Sequence, residues 1–81
     1  MLLISLDLDE ADCRMIESSS ESARSVLRSA VSLPLSRRRV IVERREAEQW
    51  RDWFRNAGRH RAVKAIESRL PQPGVKRLFS T

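Results

Sequence analysis

The stretch LSRRRVIVERREAEQWRDWF, residues 35 to 54, decides the fold, because it is either one basic helix or a strand running into an aromatic helix. As a single helix over 37–57 it would gather Val40, Ala47, Trp50, Phe54 and Ala57 on one face. Ile41 would then lie with Arg45, Glu48 and Asp52, and Arg37, Arg38 and Arg39 would crowd the positive end of the helix dipole. Three consecutive β-branched residues, Val40, Ile41 and Val42, instead suit a short buried strand flanked by solvated arginines. The pattern predicts a strand over 39–44. It is followed by a helix whose apolar face is Ala47, Trp50, Trp53, Phe54 and Ala57, with Gly58 as the residue that ends it.

Downstream, RHRAVKAIESRL places Ala62, Val63, Ile66 and Leu70 on one side, and Pro71 and Pro73 stop the element. An αα-hairpin is expected. The tail GVKRLFST offers a last strand through Val75, Leu78 and Phe79. Upstream, LLISLDLD alternates, with Leu2, Ile4, Leu6 and Leu8 on one side and Leu3, Ser5, Asp7 and Asp9 on the other, as in a half-buried strand. Asp9 then stands as an N-cap, with Glu10 and Asp12 in the first turn. Positions 13, 16, 20, 23, 27 and 30 form a helical seam to about Val31, interrupted only by the serines of SSSES, which reads as one helix with a poorly packed centre. Pro34 ends that helix. The expected fold is a small α+β domain in the order β-α-β-α-α, with a possible terminal strand and an all-α bundle as the alternative.

Eighty-one residues make one domain, and a chain that small buries only about 60% of its unfolded surface. Its charge is divided along the sequence. Residues 1–35 carry three basic against six acidic groups, net −3, and residues 36–81 carry thirteen against five, net +8. Fourteen of the sixteen cations are arginine, the better group for bidentate contact with phosphate or carboxylate, although a GC-rich genome would also produce that bias. The longest opening apolar run, Met1 to Ile4, is too short for a membrane span or a secretory leader, so a cytoplasmic protein is expected.

Enzymatic signatures are missing from this pattern. There is one histidine, His60, no tyrosine, and two glycines, which leaves no phosphate-cradling loop and no base–nucleophile arrangement. The acidic residues at 7, 9, 10 and 12 match no calcium loop, and Cys13 is a lone thiol that reads as a small buried hydrophobe. No catalytic residue, metal or cofactor is expected. Two recognition surfaces remain. Trp50, Trp53 and Phe54 with Arg51 and Arg55 have the composition of a partner hot spot, although core packing is the default for such large side chains. Arg37, Arg38, Arg39, Arg59, Arg61 and Lys64 are the candidates for phosphate contact, although charge runs are usually solvated faces.

The segment VIVERREAEQWRDWFRNAGRHRAVKAIESRL, residues 40 to 70, resembles the opening strand–helix–helix of RelE/HigB-like toxins of the phage-derived type, and GVKRL at 74–78 resembles the next segment of those toxins. The family places its RNA-cleaving residues on further strands beyond this region, so the resemblance carries over no catalytic position. It implies a β-α-α unit with an RNA-facing history rather than an active ribonuclease. The expectation is a non-enzymatic phage- or prophage-type regulator or inhibitor that docks on a macromolecular partner. Nucleic-acid binding is the alternative and a toxin-like ribonuclease the third reading. A homodimer is as compatible with the sequence as a monomer, because a sheet of two or three strands leaves edges to cover.

Overall fold

The computed structural model describes residues 2–71. Its elements run β1 (Leu3–Asp9), α1 (Glu10–Glu17), α2 (Glu21–Leu27), β2 (Val31–Leu33), β3 (Arg37–Glu43), α3 (Arg44–Asn56) and α4 (His60–Glu67). The α+β class is as expected and the all-α bundle is excluded. The terminal strand expected through Val75, Leu78 and Phe79 lies outside the described residues.

The sheet is antiparallel throughout, in the order β1-β3-β2. β3 is therefore the centre, and the β-branched run is what forms it. It spans 37–43 rather than 39–44, so all three arginines of RRR are strand residues. The expectation that Val40, Ile41 and Val42 would all be buried is corrected as well. Strand side chains alternate between faces, so Val40 and Val42 enter the core while Ile41 points to the open side.

The four helices cover one face only. Ile4, Leu6, Leu8, Val40 and Val42 from the sheet meet Cys13 and Ile16 of α1, Ala23 and Leu27 of α2, Ala47, Trp50 and Phe54 of α3, and Ala62, Val63 and Ile66 of α4. The αα-hairpin turns at Gly58, whose φ of +77° lies in the left-handed region that glycine occupies without a Cβ penalty. Of the expected α3 face, Trp53 is only partly buried and Ala57 is exposed.

Two local expectations fail for identifiable reasons. The single helix to Val31 is two helices, because Ser20 adopts an extended backbone and its hydroxyl accepts from the Ala23 N–H at 3.1 Å, capping α2. Ser18 and Ser19 close α1 by donating their hydroxyls to Met15 O and Ile16 O. The chain then leaves α2 at Leu27 and forms β2, a three-residue strand where the end of a helix was expected. Pro34 begins the turn to β3, and Leu35 and Ser36 take positive φ values of +65° and +55°. That pair of left-handed residues reverses the chain tightly enough to bring Leu33 opposite Arg37.

Candidate docking surface

The acidic first half and basic second half of the sequence fold onto each other. Arg39 reaches across from β3 to β1 and donates from Nε and Nη2 to the two carboxylate oxygens of Asp7, at 2.8 and 3.1 Å. Arg38, on the opposite face of the same strand, donates from Nε to Glu10 at 3.0 Å. Arg59, at the start of α4, donates from Nε and Nη2 to one oxygen of buried Asp12, at 2.8 and 2.7 Å. Hydrogen bonding to the Arg39 guanidinium holds the Asp7 carboxyl below its usual range. Three of the six cations assigned to phosphate are thus committed to carboxylates of their own chain.

The remaining three are Arg37, Arg61 and Lys64. Arg37 donates weakly to Asp7 O at 3.5 Å, and Arg61 and Lys64 have no ion-pair partner among the described residues. The expected hot spot is also redistributed. Trp50 is 3% and Phe54 0% exposed, so neither reaches a partner. Their burial corrects the reading of WRDWF as a surface and matches the core role that large aromatics take by default. The Trp50 indole N–H donates to Glu46 at 2.8 Å, which satisfies its one polar atom. Trp53 stays half-buried with its ring edge-on to Phe54, centroids 5.2 Å apart. Beside it Arg51 pairs with Asp52, and Arg55 pairs with Asp52 and Glu67.

The surface that sequence reasoning did not single out is the side of the sheet that none of the described helices covers. Leu3, Ile41 and Val31 are 57%, 61% and 58% exposed. Their register places them together: Ile41 is opposite Ser5, Leu3 opposite Glu43, and Val31 opposite Arg39. Leu3 and Val31 therefore flank Ile41 diagonally on the two neighbouring strands, forming an apolar row that crosses the sheet, with the Asp7–Arg39 pair beside it. The alternation of β1 already put Leu3 on the outer side. Val31 and Ile41 needed the β2–β3 hairpin, which no sequence signal announced.

Cys13 does not belong to this surface. It is buried under the helices, and burial pushes its thiol up to about 11, which keeps it protonated and unreactive near neutrality. Among the described residues, no helix is long and apolar enough to cross a membrane. Comparison with models of known protein families, with curated proteins and with solved structures finds no match.

Proposed function

We propose that this chain is a non-enzymatic binding protein that docks on a protein partner and acts by steric occlusion. The observation that carries this reading is the apolar row of Leu3, Ile41 and Val31 on a sheet face that none of the described helices covers. A small domain with little apolar material leaves three large aliphatic side chains in water at one place, where burying them against a partner is favourable by about 25 cal/mol per Å². Ion pairing within the chain supports protein over nucleic acid, since Arg38, Arg39 and Arg59 would each have to abandon a carboxylate to meet phosphate.

A tagged protein retained on resin, treated with nuclease and washed at about 0.5 M salt, tests the reading, because exposed charge contacts are screened within a few ångström there. A protein partner held by the wild type and lost from a Leu3→Lys/Val31→Lys variant is the expected result. Retention of nucleic acid in a parallel arm without nuclease, with no protein held in the treated arm, or equal retention of protein by the variant, refutes it. Nucleic-acid binding is a second reading, favoured by Arg61 and Lys64 of α4, which pair with no carboxylate among the described residues. Arg37 is the third of the assigned cations left to it, and each phosphate contact made would steepen the log–log fall of affinity with salt by about 0.9.

A further inference from the structure

The open face has a rim where the sheet is unfinished. Arg44 N donates to Leu2 O and Glu10 N donates to Ser36 O, which extend the β1–β3 ladder at its two ends. In an antiparallel ladder hydrogen-bonded pairs alternate with non-bonded ones, so the even-numbered residues of β3 bond to β1. Arg37, Arg39, Ile41 and Glu43 consequently turn their backbone groups to the other side. Of these four, β2 meets only Arg37 and Arg39, because the residues before Val31 turn off into α2. The N–H and C=O of Ile41 and the N–H of Glu43 face a groove of about 310 Å³ between β3 and α2, and no strand among the described residues fills it.

That groove has a definite chemistry. Leu3, Val26, Ile41 and Val42 supply apolar walls, and its charged groups are the carboxylates of Glu43 and Glu46, with no cation among the described lining residues. Glu46 accepts from the neutral donors Trp50 Nε1 and Ser22 Oγ, and Glu43 has no ion pair among the described residues. An acidic slot in a chain of net charge +5 selects a basic occupant. The outer edge of β1, by contrast, is blunted by Asp7 and Asp9 and by Arg37 lying on the Asp7 carbonyl.

We infer that the partner presents a short extended segment that adds to β3 as a strand in line with β2, with an aliphatic side chain opposite Ile41 and a lysine or arginine beside Glu43. This rests on the docking reading above and specifies how the docking is done. A segment residue opposite Ile41 exchanges both backbone bonds with it, and the Glu43 N–H donates to a carbonyl two residues along. Backbone bonding supplies the attachment, while the alternate side chains supply the selection.

The test titrates the ¹⁵N-labelled protein with the capped heptapeptide Thr-Thr-Lys-Thr-Val-Thr-Thr, whose lysine and valine share one face as Glu43 and Ile41 do, and separately with its counterpart carrying glutamate in place of the lysine. Amide shifts centred on Ile41 and Glu43 are expected with the lysine peptide, which should bind about five-fold or more tightly than the glutamate one. Glu43→Lys should reverse that preference. Ile41→Pro removes an N–H that β1 does not use, and should abolish the shifts while leaving the remaining spectrum dispersed. Should Ile41→Pro unfold, the Glu43→Lys reversal alone decides. Equal binding of both peptides, shifts mapping to α4, or no binding overturns the inference. Dilution-dependent shifts of the same two amides without peptide overturn it in favour of a second copy of the chain. If the heptapeptides fail while a protein partner is still lost on Leu3→Lys/Val31→Lys, the slot is refuted and the docking face stands.

Discussion

Replacing Leu35 and Ser36 together by asparagine and glycine should stabilise the domain by about 1–2 kcal/mol. Both residues sit in the left-handed region, at φ +65° and +55°, where an ordinary L-residue is disfavoured by roughly 1–2 kcal/mol. Asparagine tolerates that region and glycine has no Cβ to clash, so most of this strain is released. Against it stands the greater freedom of glycine in the unfolded chain, about 0.4–1 kcal/mol. Nothing else is forfeited, since the Leu35 side chain is 89% exposed and the Ser36 carbonyl that accepts from Glu10 N is retained. For a domain of this size each kcal/mol raises Tm by about 4–8 °C. Urea unfolding followed by tryptophan fluorescence should show a higher midpoint at unchanged slope. An unchanged or lowered midpoint would refute the claim that the β2–β3 turn is strained.

The core and the ion pairs give three further outcomes. Trp50→Ala should cost about 3–5 kcal/mol and leave the chain unfolded or nearly so by circular dichroism, whereas a near-wild-type melt would place Trp50 at the surface. Arg39→Gln should flatten the acid limb of stability against pH. The Asp7 carboxyl, ordinarily 3.8, is held lower in the folded state by Arg39, so its contribution is present above pH about 4 and lost as the pH falls through the depressed folded value. An acid limb identical to wild type between about pH 2 and 5 would remove Asp7 from that account. Cys13 should react with a thiol reagent at least about 100-fold more slowly in the folded than in the urea-unfolded chain. Its raised folded value also means that stability declines as the pH climbs from about 9 towards about 11, and rapid labelling in native buffer would contradict its burial.

Strong periodicity made much of this fold legible. The alternation of LISLDLD, the face of Ala62, Val63, Ile66 and Leu70, and the β-branched run in β3 each obey a rule set by backbone geometry alone. What escaped depends on short-range competition or on partners distant in sequence. Ser20 followed by Glu21 is the same cap-and-acid signal that marks Asp9 and Glu10, yet among neighbouring serines it reads equally well as fraying. β2 has three residues and no pattern of its own, so it exists as a strand only because β3 offers it an edge. The apolar row on the open face was hidden for the same reason. Leu3, Val31 and Ile41 are far apart in sequence, and nothing but the sheet register assembles them.

The division of charge also bears on the partner. A chain that pairs Asp7, Glu10 and Asp12 with its own Arg39, Arg38 and Arg59 keeps its net charge of +5 but has fewer unpaired groups to offer than its composition suggests. In the docking proposed above, selectivity falls to shape, apolar contact and charges left without an ion pair among the described residues, such as Glu43, Arg61 and Lys64.

The sheet order has a consequence for the chain as it leaves the ribosome. β1 emerges first, but its strand partner is β3, some thirty residues later, and Asp12 waits for Arg59. Until the start of α4 has been synthesised, buried Asp12 has no cation, and the core around β1 lacks Ala62, Val63 and Ile66. Completion of the fold is therefore expected to wait for α4, and chains interrupted before it should be degraded rather than accumulate as partial domains.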